Sequence, residues 1–242
     1  MPYRKQQFVN NEIYHIILRG IDDNLIFKDN DDYYRGIFSI YEFNNAKPVS
    51  IWLRRKQRNA EKLLRGPTSQ YTSQYISQRD LLVEILAFCF LPNHIHLLLK
   101  QTKNEGISKF MKKVGTGYGR YFNQRYGRKG YVFQNRFLAI YVKDDNQLKI
   151  VFTYIHINPV SLIEPKWKEV GIRDSGKVVK FLENYKWSSY LDYINKKNFP
   201  SVVEKDFMLK LMGEEKGCKE FIENWIMYKK ELSVFNGLSL ES

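Results

Sequence analysis

The chain has 242 residues, 43% hydrophobic and 15% aromatic, with a formal net charge of +13 and a pI of about 9.5. That length gives one large domain, or a domain with an appendage, and enough apolar content for a real core. No segment approaches the ~18 unbroken apolar residues of a membrane span. The N-terminal Met1-Pro2-Tyr3-Arg4-Lys5 lacks an apolar signal core. The distant Cys89 and Cys218, with no Cys-x-x-Cys, argue against a zinc ribbon and for reduced thiols in a cytosolic protein. A basic surplus of this size points to a polyanion, either nucleic acid or an anionic surface.

The first periodic element is Glu12 to Arg19, a strand ended by Gly20. Asp29-Asn30-Asp31-Asp32 then supplies a helix cap and acidic first turn. The helix spans Tyr33 to Asn44, with Tyr34, Ile37, Phe38 and Tyr41 as its apolar stripe. Residues 47–83 break the pattern. A basic run from Ile51 to Arg65 leads through Gly66-Pro67-Thr68 into a low-complexity tract at 69–78, read as a long surface loop. Leu82 to Phe90 and His94 to Lys100 form two antiparallel strands joined at Leu91-Pro92-Asn93. A helix from Gly106 to Tyr126 follows, with Ile107, Phe110, Met111, Val114, Tyr118, Tyr121 and Phe122 on its apolar side. Gly115, Gly117 and Gly119 lie inside that helical pattern, so they read as close-packing positions and not as a phosphate loop. A short strand at 131–134 and a longer one at 137–142 come next. Asp144-Asp145 caps a helix from Asn146 to Asn158, stopped by Pro159. The remainder is a helical tail, with its better helices at 178–194 and 217–232.

The order strand, helix, strand, strand, helix, strand, helix predicts an α+β fold: a ferredoxin-like βαββαβ antiparallel sheet with an added helix. The core occupies residues 1–163, with the insertion at about 47–83, and residues 164–242 form a C-terminal helical extension.

Charge is segregated. From Gly106 to Lys143 there is no Asp or Glu, while Lys109, Lys112, Lys113, Arg120, Arg125, Arg128, Lys129 and Arg136 fall in that stretch among Tyr and Phe. Such a zone suits backbone phosphates with base stacking, although each aromatic taken singly fits a core position equally well. The second chemical signal is His94-Ile95-His96. On a strand, residues i and i+2 share a face, so the two imidazoles project together as a pair able to clamp a metal. No carboxylate adjoins them, which argues against a two-metal nuclease or a zinc peptidase. On the last core helix Tyr154 and Asn158 are four apart and share a face, while His156 points elsewhere. Asn158 can offer a carbonyl oxygen as a third metal ligand, and Tyr154 a hydroxyl nucleophile. Tyr154 equally fits as a packed aromatic at a helix end.

Leu91-Pro92-Asn93-His94-Ile95-His96-Leu97-Leu98-Leu99 resembles the motif of single-tyrosine HUH transposases, in particular the REP-associated tyrosine transposases and their bacterial relatives, the IS200-like group. Three further stretches resemble the family in the same order: Tyr14 to Gly20, Phe133-Gln134-Asn135-Arg136-Phe137, and Tyr154-Ile155-His156-Ile157-Asn158-Pro159-Val160. The likeness covers roughly 8–163, and the 47–83 segment exceeds the compact family pattern. It implies a metal-dependent single-stranded DNA endonuclease and strand transferase acting at DNA hairpins through a 5′-phosphotyrosine intermediate. Tyr154 is then the nucleophile, and His94, His96 and Asn158 hold Mg²⁺ or Mn²⁺. Gln134 and Arg136 join the basic residues as DNA contacts. The implied partner is single-stranded or hairpin DNA, the implied state a monomer or homodimer, and the implied place the bacterial cytoplasm in association with the nucleoid. A domesticated, non-catalytic hairpin-binding protein and a water-using metal-dependent phosphodiesterase are the competing readings.

Overall fold

The computed structural model describes residues 7–54, 56, 59, 79–134 and 136–227. Its centre is a four-stranded antiparallel sheet of β1 (Ile13–Arg19), β2 (Val83–Leu91), β3 (His94–Gln101) and β4 (Leu138–Val142), in the order β2-β3-β1-β4. With α1 (Asn30–Phe43) after β1, α2 (Gly106–Arg125) after β3 and α3 (Asp145–Ile157) after β4, the chain has the expected βαββαβ order with one added helix. The expected fold class stands. Among the described residues no helix is long and apolar enough to cross a membrane.

Register fixes what each face of the sheet carries. β1 pairs with β3 so that His15 faces Leu98, Ile17 faces His96 and Arg19 faces His94; β2 pairs with β3 so that Cys89 faces His96 and Leu91 faces His94. Paired residues share a face, and neighbours along a strand alternate. One face therefore carries His15, Cys89, His94 and His96. The other carries Tyr14, Ile16, Phe90, Ile95 and Leu97, all buried. On this second face Phe27 packs edge-on against Phe90 with centroids 5.1 Å apart, and α2 brings Tyr118 to 5.2 Å from Phe27. α1 and α2 thus cover the apolar face, and α3 covers the histidine face.

Capping sets the starts of α1 and α3. Asp29 accepts from the Asp32 amide at 3.1 Å and Asp144 from the Gln147 amide at 2.8 Å, so both helices start on an aspartate, as their sequences predict. Asp32 is fully buried and ties α1 to the end of α2. It accepts from the Lys28 amide, Tyr121 Oη, Tyr126 Oη and Arg125, all between 2.8 and 2.9 Å. Of the three clustered glycines in α2, only Gly117 is a close approach: a Cβ there would sit 2.2 Å from the Phe43 ring. At Gly119 the nearest atom, on Val132, is 3.8 Å away.

The structure corrects three local expectations. Residues 131–134 form no strand. Phe133 makes a single bridge to Gly20, because the chain leaves β1 at Gly20 for a tight turn at Ile21–Asp23 and only that pair stays in register. The helix expected over 178–194 is two short helices, α5 (Ser175–Leu182) and α6 (Tyr190–Tyr193). Between them Trp187 O accepts from the Phe90 amide at 2.8 Å, and the Ser189 amide donates to Phe88 O at 3.0 Å. Those β2 groups are a sheet edge, and satisfying them outweighs continuing a helix. In the 47–83 segment Ile51–Arg54 is helical, not loop; the low-complexity tract at 69–78 and most of the basic run lie outside the described residues.

The tail completes the core. A four-residue helix, α4 (Trp167–Val170), precedes α5, and α7 (Asp206–Met212) and α8 (Glu214–Met227) follow α6. Tyr185 Oη donates to Phe90 O at 2.6 Å, and the Glu204 amide donates to Ile85 O at 2.9 Å. Tyr190, Tyr193, Met208, Cys218 and Ile222 belong to the same buried cluster as Phe88, Phe152 and Ile155. Cys89 and Cys218 are both buried free thiols.

Candidate active site

β3 delivers His94 and His96 to one face, as the alternation requires. His96 is fully buried, while His94 stands half-buried at the strand's start. Their ring centroids lie 4.8 Å apart. Asn93 Oδ1 holds His94 Nδ1 at 2.7 Å. α3 runs across this face and continues into a tight turn at Asn158–Leu162, which sets Asn158 directly over the sheet. The Asn158 side-chain amide is 2.9 Å from His96 Nε2, and the ring of Tyr154 stands edge-on to His96 with centroids 5.8 Å apart. The structure therefore brings Tyr154, Asn158, His94 and His96 together.

Two further residues belong to the cluster and were missed in the sequence. His15 on β1 is fully buried and places Nε2 2.9 Å from His96 Nδ1. Both nitrogens of His96 are thus engaged, one by His15 and one by Asn158. Lys168, on α4, donates from Nζ to Tyr154 Oη at 2.9 Å. His15 was findable, since it sits at the strand position that shares a face with Ile17 and Arg19 in a two-strand pairing. Nothing local marks Lys168: its position depends on how the chain turns after Asn158. His156 points away, with Nε2 2.8 Å from Ser189 Oγ, and burial pulls it down to about 3.

Two basic side chains flank the site: Lys168 at Tyr154 Oη, and Arg19, the strand partner of His94. Burial, reinforced by the nearby His94, His15, Lys168 and Arg19, holds His96 well below the usual imidazole range, so it is neutral and able to coordinate. Among the described residues no three His, Cys, Asp or Glu side chains are grouped to hold a metal ion. Were a divalent ion held by His94 and His96, a neighbouring amide oxygen could serve as a third protein ligand. Asn158 fits that role. Two adjacent ligands of an octahedral ion, each about 2.1 Å from it, lie about 3.0 Å apart. The Asn158 amide and His96 Nε2 are 2.9 Å apart. Which amide atom faces His96 is an assignment, and the carbonyl oxygen is the one a cation requires.

The basic residues divide. Gln134 and Arg136 are exposed beside the site, the Gln134 amide donating to Arg19 O at 2.9 Å, and Arg19 is the strand partner of His94. Lys109, Lys112, Lys113, Arg120 and Arg125 ride on α2, over the opposite face, with Arg128 and Lys129 in the turn beyond it. Lys112, Arg120 and Lys129 are exposed, and Lys109 pairs with Glu105 at 3.1 Å. Lys113 donates to backbone carbonyls, including that of Lys47 at 2.9 Å. Arg125 is held by Asp29 at 2.7 Å and by Asp32 at 2.9 Å, and Arg128 lies over the Phe122 ring at 5.5 Å. Neither Lys113 nor Arg125 presents a charge as open as those of Lys112 and Arg120.

Comparison with known proteins gives the following. The curated "Putative REP-associated tyrosine transposase" of Haemophilus influenzae is 29% identical over 119 residues, 40% of this chain. The match spans 66% of that relative's length. A solved structure of a REP-associated tyrosine transposase bound to a REP hairpin aligns with a TM-score of 0.46 at 15% identity, over 85% of this chain and 93% of that one. A crystal structure of a "putative transposase" of Deinococcus radiodurans aligns with a TM-score of 0.33 at 15% identity, over 62% of this chain and 93% of that one. The model of the family described as Transposase IS200 like covers β2, β3, α2, β4 and α3. Over residues 45–158, ending on Asn158 itself, this chain matches the IS200-like transposase family.

Proposed function

We propose that this protein is a metal-dependent DNA strand transferase, a transposase that cuts and rejoins single-stranded DNA at hairpins through a covalent link to Tyr154. One observation carries the reading: a tyrosine, two histidines and an asparagine amide, drawn from β3 and α3, meet on one face of the sheet, with Lys168 on the tyrosine hydroxyl. The match to IS200-like transposases and the likeness to a REP-associated relative support the same substrate class.

His94, His96 and Asn158 would hold a divalent ion, Mg²⁺ or Mn²⁺. When bound, that ion supplies charge neutralisation and orientation at the scissile phosphate. The chain's own residues do the rest. Tyr154 Oη attacks phosphorus. The Oη–P bond forms and the P–O3′ bond breaks, leaving a 5′-phosphotyrosine and a free 3′-hydroxyl. The phosphodiester is exchanged and not hydrolysed, so a second 3′-hydroxyl can reverse the step and join strands without ATP. Gln134 and Arg136 would meet the strand entering beside His94. Lys112, Arg120 and Lys129 would hold the hairpin backbone through phosphate contacts.

The test is direct. Incubation of the full chain with a hairpin oligonucleotide carrying single-stranded flanks and Mn²⁺, followed by denaturation, should give protein-linked DNA, and Tyr154→Phe should abolish the adduct while leaving hairpin affinity unchanged. Cleavage without any adduct would instead indicate a water-using phosphodiesterase. Tight hairpin binding with no cleavage would indicate a binding module.

A further inference from the structure

We propose that Lys168 is a second catalytic side chain of this site, holding the reacting oxygen of Tyr154 and offsetting the negative charge on that oxygen whenever its bond to phosphorus is made or broken. The proposal rests on the reading of Tyr154 as nucleophile. It also assigns a chemical role to the segment that follows the family-matched residues 45–158.

The contact itself is the first observation. Lys168 Nζ lies 2.9 Å from Tyr154 Oη and 5.1 Å from the centroid of its ring, so the ammonium reaches the tyrosine at its hydroxyl end. The second is how the lysine is carried. α4 begins shortly after the turn that seats Asn158, and the Trp167 amide donates to Glu164 O at 3.0 Å. Trp167 is only 2% exposed and packs against Trp225 of α8 with centroids 5.9 Å apart. The neighbouring residue is thus anchored in the core, and Lys168 projects from a fixed point towards the hydroxyl.

The chemistry follows from which state the ammonium favours. A charged donor bonds more strongly to an oxygen that carries negative charge than to a neutral phenol. An interaction stronger in the transition state than in the ground state accelerates the step. In cleavage the Oη–P bond forms, the P–O3′ bond breaks, the phenol proton passes to solvent and the 3′-oxygen takes one up. In rejoining the 3′-hydroxyl attacks and gives its proton to solvent, the P–Oη bond breaks, and the tyrosine departs as an oxyanion beside the Lys168 ammonium before taking up a proton from solvent. Both directions cross one transition state, so Lys168 serves both equally.

The experiment uses the full chain with Mn²⁺ and a hairpin oligonucleotide, comparing parent, Lys168→Met and Lys168→Arg. Lys168→Met should slow single-turnover cleavage and rejoining alike by roughly 100-fold, the scale of losing one charge-stabilising donor. Hairpin affinity and melting temperature should not change, because the side chain lies on the exposed side of α4. Lys168→Arg, which keeps a charge and a donor, should recover much of the rate. Replacing Tyr154 by a fluorinated tyrosine, a better leaving group, should shrink the rejoining defect of Lys168→Met, a response that a purely structural lysine would not give. Equal rates in parent and Lys168→Met, with the adduct present in both, would overturn the role of Lys168 and leave the nucleophile standing. A loss that merely tracks hairpin affinity would also overturn it. A parent that never forms the adduct would remove the nucleophile and the role of Lys168 together.

Discussion

His96 is the residue on which the site turns, and its partner on β1 decides how it can act. With Asn158 at Nε2 and His15 Nε2 at 2.9 Å from Nδ1, the proposed metal coordination through Nε2 would leave the Nδ1 proton to be donated to His15. Such outer partners fix ring orientation and tautomer, and their loss costs about 10- to 100-fold in metal affinity. His15→Phe should therefore weaken Mn²⁺ binding by roughly that factor, read by calorimetry or by the Mn²⁺ spin-resonance signal, while metal-free hairpin affinity is kept. Unchanged Mn²⁺ affinity would show that His15 only packs. At this scale the sequence exposed four of the cluster's six residues. His94 and His96 are two apart on a strand, Tyr154 and Asn158 four apart on a helix, and those periods are visible without a structure. His15 and Lys168 meet the same side chains from β1 and from α4, and only strand pairing and the path of the chain after Pro159 bring them in.

At the scale of elements, α2 shows how much local pattern leaves undecided. Its glycines look alike in the sequence, yet Gly117 alone faces the Phe43 ring at the end of α1. Gly117→Ala should destabilise by about 1–3 kcal/mol, the usual cost of overpacking. Gly119→Ala, whose nearest neighbour atom is at 3.8 Å, should be neutral or stabilising by up to about 1 kcal/mol through helix propensity. Chemical denaturation of the two variants separates these outcomes, and equal shifts would contradict the packing described. The same helix was legible as basic, but not which of its charges are committed inside the fold. Arg125 meets Asp29 and Asp32 only because α1 and α2 lie side by side. The division of the expected 178–194 helix has a similar cause. The apolar spacing of Val178 and Leu182 is helical, but the hydrogen-bonding need of β2 claims Trp187 and Ser189. A tertiary demand of that kind leaves no periodic trace.

For the whole molecule, the relation between sheet and tail is the main finding that the sequence did not convey. The βαββαβ order was readable from alternating periodicities, and the sheet order follows from it. The tail reads as a helical appendage because its segments are short and of mixed charge. In the structure, residues 185–204 instead satisfy backbone groups of Ile85, Leu86, Phe88 and Phe90 along one edge of the sheet. Truncation after residue 163 should therefore give a chain that binds hydrophobic dyes and melts without a cooperative transition, because an apolar, unpaired strand edge is left open to water and to other chains. A cooperative thermal transition in circular dichroism would show that the core stands alone.

The position of that edge-covering segment has a consequence for how the protein comes into being. Synthesis is vectorial, and β2, β3, Tyr154 and Asn158 all emerge from the ribosome before Lys168, and well before Trp187 and Ser189. A nascent chain can hold its histidines and tyrosine in sequence while its sheet still lacks a border and Tyr154 still lacks the neighbouring ammonium. Under the proposed function, strand-cutting capacity would switch on only as translation passes the last of these residues, and a prematurely terminated chain would be inert towards the genome that encodes it.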